Sequence, residues 1–306
     1  MIFMKKQCIL YTLVFVLCGS ISGCTDTIDF YQEDRQSAIV LNSLLNTDSI
    51  VYARMTWMNK PGAMYDYWTF NEIKDAEVSL YENGDFVERL APVTIGDSLY
   101  NSHYYKSTHS VRQGQTYRLV ATLPDGQRVS AEGWIPAQPS FSIGKAKWIP
   151  SPSNPGRDET QVDLKLNDPP GERNYYRIRI FTFFEGYVER RFQHFTWIGP
   201  GKQEANFFED EFHQQVFIDD ELFDGQSVEL ILRCENMLFE NDRIEVTALT
   251  QESYRYLRNN AFANESVDNI LTEPIPVYTN VTDGLGFVGG VAVREQNIEV
   301  DRTGAP

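Results

Sequence analysis

Apolar residues recur at every second position along much of this chain, and that spacing confines it to sheet architectures. Val51, Ala53, Met55 and Trp57 alternate with Tyr52, Arg54 and Thr56. Ala76, Val78 and Leu80 alternate with Glu77 and Ser79 before Asn83-Gly84 turns the chain. Tyr117, Leu119, Ala121 and Leu123 follow the same rule, and Pro124-Asp125-Gly126 leads into a returning strand from Arg128 to Glu132. One apolar and one polar face per strand is what antiparallel sheets packed face to face require. The spacing predicts a mostly β chain, with a first β-sandwich over 37–137.

Pro136, Pro139, Pro150, Pro152 and Pro155 then interrupt the pattern, and the domain boundary is placed near Ala137 to Ser140. Beyond it, Val162-Leu164-Leu166, Tyr176-Ile178-Ile180, Val228-Leu230-Leu232 and Ile244-Val246-Ala248 read as strands. Tyr254, Leu257 and Ala261 share one face of a helix expected over 251–262, with Thr250 as its cap. Ile275 to Val300 reads as a strand pair around Asp283-Gly284. The expectation is two Ig-like or transthyretin-like sandwiches, the second (138–306) carrying one short helix.

The longest apolar run is N-terminal. Ile9 to Leu17 follows Lys5 and Lys6 and is shorter than the roughly 20 residues a spanning helix needs. It leads into Ile21-Ser22-Gly23-Cys24, which resembles the bacterial lipobox. On this reading 1–23 is a lipoprotein signal peptide and Cys24 carries the acyl chains that anchor the protein in the bilayer. The alternative is an ordinary signal peptide with a chance cysteine. Asp26, Asp29, Glu33 and Asp34 make 24–36 an acidic tether. It resembles the surface-export signal of Bacteroidota lipoproteins, or is simply a solvated linker.

With Cys8 and Cys18 in the signal peptide and Cys24 lipidated, only Cys234 remains. No intramolecular disulfide can then form, and Cys234 is expected to be a buried apolar group. A formal net charge of −16 argues against nucleic acid and against a basic membrane-binding patch.

Several stretches together resemble a Bacteroidota lipoprotein family, the domain of unknown function 4249. They are Ala38 to Asn42, Ile73 to Tyr81, Gly114 to Leu119, Trp134-Ile135-Pro136, Asn167-Asp168-Pro169 and Asn174-Tyr175-Tyr176-Arg177. Further on come Asp219 to Gln226, Tyr254 to Leu257, Glu273-Pro274, Tyr278 to Val281 and Gly284 to Phe287. The resemblance implies an accessory lipoprotein encoded beside a TonB-dependent outer-membrane receptor. It supplies no catalytic residues.

Candidate sites are few. Trp57, Tyr65, Tyr67 and Trp68 flank Lys60-Pro61-Gly62 and are read as a ligand or partner surface, with core filling as the alternative. Glu209, Asp210, Glu211, Asp219, Asp220 and Glu221 form an acidic stretch, read as a cationic partner face, an irregular calcium site or a solvated loop. Counted from Asp220, Leu222 and Ile231 fall at two ligand positions of an EF-hand loop, so that pattern fails. Gly284 to Gly289 fits GxGxxG, but the extended residues that follow favour close-packed strands over a dinucleotide site. The four histidines, His103, His109, His194 and His213, lack zinc-ligand spacing. No cofactor is expected.

The leading functional expectation is a non-enzymatic outer-membrane lipoprotein at the cell surface. It would capture a small ligand, peptide or glycan, or act as a lid, for a TonB-dependent transporter. The alternatives are a structural or adhesive surface lipoprotein and a surface glycan hydrolase, since paired acids are abundant.

Overall fold

The computed structural model describes residues 38–58, 71–96, 101–152, 154–183, 190–199, 207–209, 214–266 and 278–301, all within one compact unit. The expected signal peptide, Cys24 and the acidic tether lie outside the described residues.

The order of elements follows the alternating runs. The N-terminal strands are β1 (Ile39–Asn46), β2 (Ile50–Trp57), β3 (Glu77–Glu82), β4 (Asp85–Arg89), β5 (Ala91–Gly96), β6 (Asn101–Ser110), β7 (Thr116–Thr122) and β8 (Arg128–Trp134). After the proline-rich link come β9 (Ser140–Ile143), β10 (Lys147–Pro150), β11 (Asp158–Asn167), β12 (Tyr175–Phe183), β13 (Arg190–Phe192), β14 (Phe195–Ile198), β15 (Phe207–Glu209), β16 (Gln215–Asp219), β17 (Ser227–Cys234) and β18 (Asp242–Leu249). Helix α1 (Gln251–Ser266) and the long β19 (Leu285–Asn297) complete the described fold. The described residues are mostly β, with several sheets and one helix.

A ten-stranded sheet runs β15-β16-β12-β18-β19-β1-β2-β6-β5, with β13 beside β12. A four-stranded sheet, β4-β3-β7-β8, covers one end, and a five-stranded sheet containing β10, β11, β17, β14 and β9 covers the other. Two large apolar cores result, beside a smaller cluster under α1. One gathers Leu41, Met55, Leu80, Tyr105, Tyr117 and Leu119 from the first half. The other gathers Leu164, Ile178, Trp197, Leu230 and Val246 from the second. The expected boundary near Ala137 thus falls between two cores but not between two sheets, because the large sheet continues through both.

β19 makes that continuity. It pairs antiparallel with β18 and parallel with β1, in the register Val40↔Leu285 to Asn46↔Val291. Two asparagines extend this seam: the Phe287 N–H donates to Asn42 Oδ1 at 3.0 Å and the Val293 N–H to Asn46 Oδ1 at 3.1 Å. Val288 packs into the first core and Ala292 into the second, while Val291, on the opposite face, packs under α1.

The glycines of β19 serve close packing. A Cβ on Gly286, at φ +104°, would lie 2.3 Å from the Leu41 carbonyl oxygen. One on Gly290 would lie 1.7 Å from the Trp134 carbonyl oxygen, and one on Gly133 2.8 Å from Gly289 Cα. β8 therefore crosses β19 backbone to backbone. Strand, not helix, follows the GxGxxG stretch, so the geometry of a dinucleotide turn is not met.

The helix begins as its cap dictates: the Ser253 N–H donates to Thr250 Oγ1 at 3.1 Å. Tyr254, Leu257 and Ala261 pack with Tyr175, Phe217, Leu249 and Val291. Among the described residues, the strand pair expected around Asp283-Gly284 is not formed. Asp283 does turn the chain at φ 61°, but of residues 278–282 only Thr282 makes a bridge, and its partner is Ser130. Cys234 is buried in β17, where burial pushes its thiol up.

Candidate functional site

A cavity of about 830 Å³ opens where the two cores meet. Its walls come from the end of β8 and the link after it (Trp134, Pro136, Pro139), the β11–β12 connection (Asp168, Glu172 to Tyr175) and the start of α1 (Thr250 to Glu252). A cavity of about 340 Å³ adjoins it and shares Trp134, Thr250 and Glu252. The larger volume lies within the range of about 300–1,000 Å³ that suits small ligands.

Trp134 arrives there through strand periodicity. Val129, Ala131 and Gly133 of β8 point inward, so Arg128, Glu132 and Trp134 point out. The indole is 46% exposed and meets no other aromatic ring among the described residues. Several large apolar side chains are exposed, Phe86 and Phe239 among them, and of these Trp134 lines the cavity.

Carboxylates brace the two loops behind the cleft. Asp168 accepts the Tyr176 hydroxyl at 2.6 Å through Oδ1 and the Gly225 N–H at 2.9 Å through Oδ2. The Asn174 N–H donates to Asp220 at 2.7 Å, and the Gly171 N–H to Asp224 at 2.8 Å. Burial, opposed by Asn174 and reinforced by Asp168 and Asp224, pushes the Asp220 carboxyl above the usual range. Burial and Asp168 raise the Tyr176 phenol. Asp168, Asp220 and Asp224 offer oxygens within 4.8 Å of one another, close enough to share a metal ion. Each already accepts a hydrogen bond across the loops, and that bracing accounts for their convergence.

The acidic face expected from sequence is corrected at its described end. Asp220 is 1% exposed, spent on the Asn174 backbone. Asp219 and Glu221 both pair with Arg173 at 2.9 Å. Glu209 ends β15, while Asp210 and Glu211 lie outside the described residues. Of the expected aromatic surface, Trp57 ends β2 and packs half-buried against the first core. Tyr65, Tyr67 and Trp68 lie outside the described residues. His103 is buried beside Tyr105, and His109 lies 3.6 Å from Glu82.

Comparison with known families settles the lineage. The family model described as a domain of unknown function (DUF4249) matches residues 25–297. The chain belongs to this family. Three of the stretches that resemble DUF4249 proteins, Trp134-Ile135-Pro136, Asn167-Asp168-Pro169 and Asn174-Tyr175-Tyr176, contribute walls to the one cleft, and Asp219 to Gln226 braces it. No curated protein matches the chain. A solved structure titled "Biofilm associated protein - BSP domain" is similar at 6% identity and a TM-score of 0.20. That alignment covers 85% of this chain and 59% of the other, and likeness at this level informs neither fold nor function.

Sequence patterning alone did not single out the cleft. Its signal is an outward-facing Trp at the end of an alternating strand, immediately before a proline-rich link.

Proposed function

We propose that the chain is a lipid-anchored outer-membrane protein that captures a ligand at the Trp134 cleft for a TonB-dependent transporter. The observation that carries this reading is the cavity of about 830 Å³ with an exposed indole on its wall. The lipobox-like Ile21 to Cys24 supplies the anchor, and the acidic stretch after it the tether. Binding is favoured over hydrolysis because the converging carboxylates of Asp168, Asp220 and Asp224 each accept a backbone N–H that braces the loops.

The test is affinity purification of the tagged, full-length chain from outer membranes in a mild neutral detergent. A TonB-dependent receptor is expected to co-purify in defined proportion. Recovery of the lipoprotein without any receptor would overturn the transporter role.

A further inference from the structure

The two cavities at Trp134 carry an imbalance of charge that the fold does not use. Glu172 lines the larger cavity, Glu132 the smaller, and Glu252 the wall between them. All three are exposed, and none of their carboxylates takes part in a hydrogen bond or ion pair among the described residues. The cation of this wall, Arg173, is already matched by Asp219 and Glu221. The N-terminus of α1 would favour an anion, but its Ser253 N–H is capped by Thr250 and Glu252 stands in its first turn. Trp134 lines both cavities, and no aromatic ring meets its indole among the described residues.

From this arrangement we infer that the cleft selects a ligand bearing a positively charged nitrogen, an ammonium or guanidinium group seated on the Trp134 face in the cavity that Glu172 and Glu252 also line. The inference rests on the Trp134 cleft being the ligand site. An indole face attracts cations through its quadrupole, and desolvation strengthens that attraction. Free carboxylates on the cavity walls, those of Glu172 and Glu252, add Coulomb attraction without the cost of breaking existing pairs, in contrast to Asp219 or Glu221. Because the cavities meet at Trp134, the same site accommodates a lysine side chain on an extended peptide or a free polyamine.

The test is calorimetric titration of the full-length chain in neutral detergent at low salt. The probes are a six-residue lysine–alanine peptide, the same peptide with its lysines acetylated, and spermidine. Saturable binding of at least one cationic probe is expected, with none for the acetylated peptide. Binding by the peptide alone identifies a peptide ligand, and equal binding by spermidine identifies a free cation. The double variant Glu172→Gln/Glu252→Gln should weaken binding about tenfold, since each exposed charge pair contributes modestly and two are lost. Trp134→Ala should weaken it by about two- to fivefold, with Trp134→Phe in between. The charge-matched control Glu235→Gln/Glu299→Gln, at exposed positions that line neither cavity, should bind as the parent does. Unchanged melting temperatures confirm that the cleft variants fold. The inference is overturned if neither cationic probe saturates, if the acetylated peptide binds equally, or if the control double variant loses as much affinity as the cleft double variant. A neutral ligand found at Trp134 would sink the charge selection and leave the capture role standing. Absence of a co-purifying receptor would sink the transport role and leave the charge selection standing.

Discussion

Tyr256 of α1 and Phe287 of β19 stack with ring centroids 4.3 Å apart and planes 10° from parallel. Tyr278 meets the same Phe287 ring edge-on at 6.1 Å. Beside this stack, the Ser253 hydroxyl donates to the Gly290 carbonyl at 2.8 Å. These contacts fix the first turns of α1 on the sheet, and with them the places of Thr250 and Glu252 on the cleft wall.

Phe287 is 1% exposed, so Phe287→Ala should cost about 3–5 kcal/mol of folding stability. Tyr256 is half-buried, and Tyr256→Ala should cost less while loosening α1. Denaturant unfolding gives both values. Hydrogen exchange should show faster opening of Gln251 to Ala261 in the Tyr256 variant.

Gly290 and Gly84 separate crowding from backbone strain. Gly290→Ala must displace the Trp134 carbonyl, because the new Cβ would lie 1.7 Å from it. The crossing of β8 over β19 has no room to give, so this variant should fail to fold or melt far below the parent. Gly84 sits at φ +93° with nothing within 4 Å, and Gly84→Ala should cost only about 1–2 kcal/mol. Thermal melting of the pair checks the contrast.

Glu245 is fully buried between two guanidinium groups, 2.8 Å from Arg179 and 3.5 Å from Arg177. Burial and neighbouring Arg179 pull the Arg177 guanidinium down to about 9. Burial alone would raise the Glu245 carboxyl, but Arg179, Arg177 and Thr247 outweigh it and hold it below the usual range. A depressed folded value means that stability is fully present above the unfolded value of about 4.3 and is lost as pH falls through the folded value. The Glu245 contribution should therefore be flat from about pH 7 to pH 5 and decline below about pH 4. Glu245→Gln strands the buried Arg177 and the half-buried Arg179 and should cost about 3–5 kcal/mol at neutral pH. Its deficit against the parent should shrink in acid, which melting curves across pH measure.

Cys24→Ala should leave the fold intact and release the protein from the membrane, because the anchoring acyl chains are proposed to attach there. Fractionation with processing assays checks this. An equal amount of processed, membrane-retained variant would contradict it.

The strands were legible because their cores are one-sided. Val162-Leu164-Leu166 and Val228-Leu230-Leu232 alternate in sequence and face one core in the fold. The helix was legible from Tyr254, Leu257 and Ala261, and its cap from Thr250. The parallel seam was not legible, since it joins Asn42 to Phe287 across 245 residues and no local pattern encodes such a partner. Nor were the glycines of β19, whose spacing imitates a nucleotide turn but answers to the crossing of β8. The acidic stretch misled because charge in sequence does not say which carboxylates are spent on backbone N–H groups, as Asp220 is. Trp134 stayed hidden because an outward position on an edge strand becomes a cleft wall only once the β11–β12 connection folds beside it.

The most direct measurement compares material bound to the wild-type chain and to Trp134→Ala, each purified from native outer membranes and analysed by mass spectrometry. Capture at the Trp134 cleft predicts a specific ligand on the wild-type protein, depleted several-fold on the variant, while both retain the same transporter. Equal bound material on the two proteins, or a ligand unaffected by the loss of the indole, would contradict it.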